Sequence, residues 1–343
     1  MDLNATVTFP STISHILGDW HETSDPIQFK LHGNKVAVGR IVLSNNLPSF
    51  KALNLRADSE QFTQLLLAAA LQAGANGEIN LVIGFPRETI KINTEAFKDL
   101  KGKKFQIELS DGSTKEISLN LIWPQYESVG HAYGLKSILG LNNRFFSLSG
   151  GFGTVEGILI GEDGRPISSS LFGENLGIRR ATLLMKDELL KLGLVMPEGA
   201  GDDLWFDDIL RRAYYKDPNL NIILSNSIAS SETLFKMSIE ILETYATKLL
   251  VPKIEQHLKM CNAGKVNFGF TGGASRYQPV ANAIKKMVCN LGMNWLEIND
   301  ELALRSAAIG YACIAKSRED FSRNTLVLDL GNSNTVFVNL IGV

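Results

Sequence analysis

An excess of charge of either sign is missing from this sequence: 34 lysines and arginines stand against 36 aspartates and glutamates, a formal net charge of −2. That balance gives no global pull toward nucleic acid or an anionic membrane, so any association with DNA has to run through a local patch or an adaptor. Cysteine is scarce, with 3 in 343 residues (Cys261, Cys289 and Cys313) and no CxxC pair. An odd, scattered set of thiols argues against a disulfide framework and reads as reduced side chains of a cytoplasmic protein. The 5 histidines, His15, His21, His32, His131 and His257, show no HxxxH or HExxH spacing, which argues against a metal site built on imidazole. No basic stretch followed by an apolar run opens the sequence, so a signal peptide is not expected. The longest helical apolar stretch, around Leu65 to Ala73, falls far short of the ~20 residues that span a bilayer. A cytoplasmic location is the expectation.

What is present is a globular composition, 45% apolar and 20% charged, with length enough for two domains that each bury a core. Ala5 to Ser11 reads as a short strand, and Gln28 to Leu43 as two strands around His32-Gly33-Asn34-Lys35. Gln61 to Ala73 has the composition of a buried helix. The run Ile79 to Phe85, stopped by Pro86, suits a central parallel strand. Thr89 to Leu100 reads as a helix, Lys104 to Leu109 and Lys115 to Leu121 as a hairpin joined by Asp111-Gly112, and Ser128 to Leu139 as a further helix. Arg144 to Ile160 reads as two strands around a glycine-rich turn. Helices are then expected over Gly177 to Leu194, Ser231 to Met260, Gln278 to Leu291 and Glu301 to Ala315, with a strand at Val266 to Phe270. Residues 195–230 read as inserted loops, and Lys316 to Arg323 as a polar linker. A strongly apolar strand, Thr325 to Leu330, follows, with a Gly/Asn/Ser turn and a last strand after it. Strands alternating with helices give an α/β fold with mixed sheets. The two strand–glycine-turn–strand units at 144–160 and 325–341 share a layout, which suggests two related halves.

Four segments carry chemistry. In LVLDLGNSNTVFV an apolar strand delivers Asp329 to its end, where a tight turn exposes backbone N–H groups able to hold phosphate oxygens. The carboxylate there can orient the water shell of a Mg²⁺. In FFSLSGGFGTVEGILI, glycines 150, 151 and 153 let backbone approach a ligand closely. In VNFGFTGGASRY a strand runs into Gly272-Gly273 and a helix starts within a few residues, near enough to offer N-terminal donors. In WPQYESVGHAYGL, Glu127 stands at the start of a helix. Each has a bland alternative: a polar hairpin turn, a glycine bulge, close strand–helix packing, and a first-turn acid favoured by the helix dipole.

Together these segments resemble the nucleotide site of the actin-like ATPases, specifically the ParM/StbA-like plasmid-segregation branch. DLGNSNT is similar to that superfamily's first phosphate loop, SGGFGTVEG to its second, FTGGASRY to its adenosine segment, and PQYESVG to the helix start that carries a catalytic Gln or Glu. Phe9 to Ser11 resembles the segment that follows the first hairpin, and Leu304 to Ala315 the closing helix. The resemblance covers nearly the whole chain and implies the two-domain fold shared by actin, heat-shock chaperones and sugar kinases, with a nucleotide cleft. It implies one domain of residues 1–143 plus 304–343 and another of 144–303. The order departs from the family: the first phosphate hairpin follows the closing helix instead of opening the chain. Linking Val343 to Met1 restores the usual order, which is the pattern of a circular permutation made at exposed turns.

By resemblance, Asp329 orients Mg²⁺-bound water, and Gly331, Asn332, Ser333, Asn334 and Thr335 hold the β- and γ-phosphates. Glu127 positions the attacking water. Ser149, Gly150, Gly151 and Gly153 form the second phosphate loop. Gly272, Gly273 and Ala274 pack on base and ribose, with Arg276 and Tyr277 near the ring and Gly177 at the ribose side. The second loop usually begins with aspartate, and Ser149 occupies that place without a charge; Glu156 falls where the family has Asp or His and substitutes in part. Losing one electrostatic partner of the metal slows hydrolysis without abolishing binding.

The function so implied is a nucleotide-dependent, head-to-tail filament with ATP or GTP and Mg²⁺, linked to DNA through an adaptor. A monomeric kinase of the same superfamily and a non-hydrolysing ATP sensor are the alternatives. Arg179-Arg180 and Arg211-Arg212 read as solvated faces or self-contacts.

Overall fold

A computed structural model of the chain describes residues 6–21, 27–45, 47–48, 50–51, 56–197, 202–225, 227–321, 324–331 and 334–340. The chain divides into two units, Met1–Asn142 with Leu304–Val343, and Asn143–Ala303. The first unit begins with strands β1 (Thr6–Pro10), β2 (Thr12–Ile16), β3 (Gln28–Leu31) and β4 (Asn34–Val38), a short helix α1 (Arg40–Ser44) and strand β5 (Phe50–Lys51). It continues through α2 (Glu60–Gln72), β6 (Gly77–Phe85), α3 (Ile90–Leu100), β7 (Lys104–Leu109), β8 (Thr114–Tyr126) and α4 (Glu127–Leu139). The second unit holds β9 (Phe145–Gly150), β10 (Val155–Ile160), β11 (Phe172–Glu174), α5 (Arg179–Lys191), α6 (Asp203–Tyr214), β12 (Ile222–Leu224) and β13 (Ser227–Ala229). After these come α7 (Ser231–Thr244), α8 (Val251–Met260), β14 (Asn267–Thr271), α9 (Gln278–Asn290) and β15 (Asn294–Trp295). Helix α10 (Asp300–Lys316) then returns the chain to the first unit, which closes with β16 (Thr325–Leu330) and β17 (Asn334–Leu340).

The first unit's strands make one ten-stranded sheet in the order β1-β17-β16-β6-β8-β7-β3-β4-β2-β5. Its centre is parallel, with β6 between β16 and β8. β6 is buried on both faces, with Leu81, Val82 and Ile83 inaccessible, which explains its unbroken apolar run. The last hairpin is therefore not an appendage. β17 pairs antiparallel with β1, setting Phe9 opposite Thr335, while β16 lies parallel to β6. On one face of this sheet Phe62, Phe85 and Phe97 pack as an aromatic cluster with centroids 5.6–6.2 Å apart.

Helices α4 and α10 cross at glycine. A Cβ at Gly134 would land on the Ser306 carbonyl oxygen, and one at Gly310 on the carbonyl of Gly130. Only hydrogen at these positions lets the two backbones touch, and the buried Tyr311 ring fills the space over Gly84 and Gly130.

The second unit has a five-stranded sheet, β11-β10-β9-β14-β15, and a separate β12–β13 hairpin. Phe146, Phe268 and Trp295 stack across the sheet at 5.5 and 6.1 Å, within a core that also takes Met185 from α5, Leu210 from α6, Leu242 from α7 and Ile284 from α9.

Several sequence expectations change. The second strand expected within 28–43 stops at Val38: Gly39, at φ 83, turns the chain and Arg40–Ser44 is helical. The helix expected over Ser231 to Met260 widens to a π-helical segment at Tyr245–Leu250, because Pro252 has no N–H to return to the preceding turn. Residues 195–230 are not a plain loop; they contain α6 and the β12–β13 hairpin, with the Asp202 carboxylate accepting the Trp205 N–H at 2.7 Å to start the helix. The polar stretch after α10 is anchored as well. Phe321 is buried against Trp123 at 5.2 Å, and the Arg318 guanidinium lies 4.4 Å over that ring. Among the described residues no helix is long and apolar enough to cross a membrane.

Candidate functional site

The first unit gathers its chemistry at the ends of β16 and β8. Three buried apolar residues, Leu326, Val327 and Leu328, drive β16 inward before Asp329, which is half-buried near its end. β8 runs through Pro124 to Tyr126 and hands the chain directly to α4, whose first residue is Glu127. Burial, and then the neighbouring negative charge of Glu127, push the Asp329 carboxyl up from 3.8 to about 7, with His131 pulling it back in part. His131, one helical turn after Glu127, is buried; its Nε2 lies 3.8 Å from Glu127 Oε1 and its Nδ1 lies 2.7 Å from Ser306 Oγ.

The turn beyond Asp329 is braced from the start of the chain. Ser11 Oγ donates to the Gly331 carbonyl at 2.6 Å and sits 2.9 Å from Thr335 Oγ1. Thr335 is fully buried, so its hydroxyl supports the turn from behind, and the Gly331 N–H closes on the Asn334 carbonyl at 3.0 Å. Asn332 and Ser333 lie outside the described residues.

In the second unit both glycine turns meet. β14 runs parallel to β9 with Thr271 beside Ser149, so the turns that follow each strand end lie together. Gly272 adopts φ 80, and a Cβ there would sit 2.6 Å from the Gly150 carbonyl oxygen, so only glycine serves. Ala274 packs on Gly150 from the same side. Ser149 is buried and its hydroxyl donates to the Glu156 carbonyl at 3.4 Å. Glu156 itself is buried opposite Ser149 on β10. The start of α5 closes over the second loop: the N–H groups of Gly177, Ile178 and Arg179 donate to the carbonyls of Gly153, Gly151 and Phe152 at 2.8–3.1 Å. Gly177 thus packs against that loop's backbone, and those helix N-terminal donors are already engaged. Tyr277 is buried edge-on against Tyr214 at 5.0 Å, and burial, then the charge of Asp207, push its hydroxyl up. Arg276 is half-buried beside it.

Residues 2–128 match the family model described as the N-terminal domain of actin-like proteins. The fold is actin-like. The archaeal actin homologue Ta0583 shares it at 18% identity and a TM-score of 0.68, over 90% of this chain and 92% of that one. The same homologue in complex with ADP gives a TM-score of 0.65, again at 18% identity over 90% and 92% of the chains. A non-polymerisable quadruple mutant of pCBH ParM gives 0.63 at 18% identity, covering 90% and 93%. No curated protein matches the sequence. Among the sequence-expected residues, the actin-like fold brings Asp329 and Glu127 to one place in the first unit. In the second it brings Ser149, Gly150, Gly272 and Ala274 to one place. His131, Ser306 and the bracing role of Ser11 escaped the sequence reading. The only signal was the four-residue spacing of Glu127 and His131 along one helix face.

Proposed function

We propose that this actin-like protein binds ATP or GTP with Mg²⁺, hydrolyses it slowly, and uses the bound state to control head-to-tail assembly of its own copies. The reading rests above all on Asp329 beside Glu127, two carboxylates brought together at a strand end next to a glycine turn. Placing like charges in a half-buried setting is costly unless a cation takes up the field, and a divalent ion does so. Among the described residues no cluster of three or more His, Cys, Asp or Glu side chains forms a metal cage. That suits Mg²⁺, which keeps most of its waters and takes protein contacts through them. When bound, the ion neutralises developing phosphate charge.

In this reading Asp329 orders the ion's water, and the Asn334 side-chain amide, at the turn that Gly331 closes, donates to the β- and γ-phosphates. Glu127 orients the water that attacks the γ-phosphorus as the bond to the bridging oxygen breaks, yielding nucleoside diphosphate and phosphate. In the second unit, Gly150, Gly151 and Gly153 offer backbone to phosphate oxygens, while Gly272, Gly273, Ala274, Arg276 and Tyr277 serve a nucleoside. Support comes from relatives: Ta0583 has been captured with ADP and Bacillus thuringiensis ParM, at a TM-score of 0.52 and 12% identity, with ATP. The ParM described as a non-polymerisable mutant supports self-assembly as the output. A near-neutral net charge favours an adaptor over direct DNA contact. Electron microscopy with and without ATP tests assembly; filaments that form equally in both conditions contradict the proposal.

We also propose that the chain is circularly permuted. The support is β17 lying between β1 and β16, with Thr6 opposite Val338, so that a turn from Val343 to Met1 would rejoin adjacent strands. A relinked chain opened within residues 316–324 should keep its melting temperature within a few degrees; loss of folding counts against permutation.

A second reading, a nucleotide sensor without turnover, is favoured by Ser149, whose hydroxyl is committed to a carbonyl and brings no charge to the metal. Phosphate release separates the two.

A further inference from the structure

The α4–α10 crossing does more than pack two helices. Gly130 and Gly134 flank His131 and let the α10 backbone approach so closely that the short side chain of Ser306 reaches the imidazole at 2.7 Å. The other ring nitrogen, Nε2, faces Glu127 Oε1 at 3.8 Å, one turn earlier on the same helix. Either ring nitrogen can carry a proton. If Nδ1 carried the proton, the Nε2 lone pair would point at a carboxylate, which is repulsive. If Ser306 O–H donates to Nδ1, the Nε2–H points at Glu127, which is attractive. The second arrangement satisfies all three groups. A Ser–His–Glu hydrolytic triad is excluded: Ser306 has no exposed surface and sits inside a helix crossing.

We propose that His131 is a positioning residue for Glu127, and that Ser306 fixes the imidazole in the orientation and tautomer that holds the carboxylate. The inference rests on the proposed function, because it assigns His131 to the water-orienting step. A glutamate at a helix start keeps several rotamers, and a catalytic carboxylate displaced by about 1 Å loses on the order of 10²-fold in rate. The Nε2–H of His131 removes that freedom from one side.

Two substitutions separate this role from packing, because each reproduces one end of the ring. His131→Gln carries an N–H near the Nε2 position and still reaches Glu127. His131→Asn carries polar atoms near Nδ1, keeping Ser306 but not Glu127. With full-length protein, ATP and Mg²⁺, the expected result is that His131→Asn lowers kcat for phosphate release by on the order of 10²-fold. Its nucleotide Kd should stay within about twofold of wild type, the pattern of an interaction made in the transition state. His131→Gln should recover most of kcat, and Ser306→Ala should lower kcat with Kd unchanged. Asn and Gln variants that behave alike, or a kcat and Kd that fall together, overturn the inference. If both histidine variants fail to show a cooperative melt, Ser306→Ala decides, and wild-type kcat in that variant overturns it. Glu127→Ala is the control: if it is slow while His131→Asn is at wild-type rate, this inference alone fails. If wild type releases no phosphate, or Glu127→Ala matches it, the proposed turnover fails first and this inference with it.

Discussion

The Ser11 hydroxyl donates to the Gly331 carbonyl at 2.6 Å, joining two residues 320 positions apart. This bond and the contact to Thr335 pin the turn after Asp329 to the residue between strands β1 and β2, so the candidate phosphate loop takes its shape from the far end of the chain. Replacing Ser11 with alanine leaves a part-buried carbonyl and the buried Thr335 hydroxyl short of a partner, a loss of about 1–3 kcal/mol. The expected outcome is a lower melting temperature together with weaker nucleotide binding, measured by thermal denaturation with and without Mg·ATP. Unchanged binding in a destabilised protein would show that the brace serves folding only.

The helix crossing makes a sharper demand. Gly134→Ala puts a methyl group onto the Ser306 carbonyl, where backbone on both sides prevents relief, and should destabilise by about 3 kcal/mol or more. Gly140→Ala is the matched control: Gly140 ends α4 at φ 63 with open space around it, so only backbone strain of about 1–2 kcal/mol is expected. Urea denaturation of the two variants checks the order, and equal losses would show that the crossing is looser than described.

Asp329 gives the nucleotide-free protein a pH dependence. Its carboxyl holds a proton up to about 7 in the folded state, against 3.8 ordinarily. Between those values the folded chain binds more protons than the unfolded one, so stability falls as pH rises. This contribution is fully present below 3.8 and lost as pH passes through about 7. Asp329→Asn should flatten that decline and raise the melting temperature at pH 8, while weakening Mg·ATP binding. Melting curves at pH 5 and pH 8 for both proteins test it; parallel curves contradict the assignment.

Much of this was legible in the sequence because the signals were local. β6 announces itself by an apolar run with a stop at Pro86, and Asp329 by standing where an apolar strand meets a glycine turn. The glycines at 150 and 272 were legible as close-approach positions, although what approaches Gly272 is the Gly150 backbone and what approaches Gly150 is the Ala274 methyl group; Gly273 has open space around it. Long-range and context-dependent features stayed hidden. Nothing near Ser306 marks it as a partner of His131, since a helix crossing made of glycines brings them together. The α6 helix was masked by its acidic start, DDLWFDD, which reads as loop until Asp202 is seen capping it. The end of β4 was set by Gly39 at positive φ against a continuing apolar pattern.

The account turns on Asp329 as the residue through which a hydrated Mg²⁺ and a nucleotide are held. Isothermal titration of ATP into the wild-type protein and Asp329→Ala, each with Mg²⁺ and with the ion chelated, tests this most directly. Binding that is tight with Mg²⁺ in the wild type, and markedly weakened both by chelation and by Asp329→Ala, is the predicted result. Equal affinity in all four titrations, or no binding in any, would contradict it.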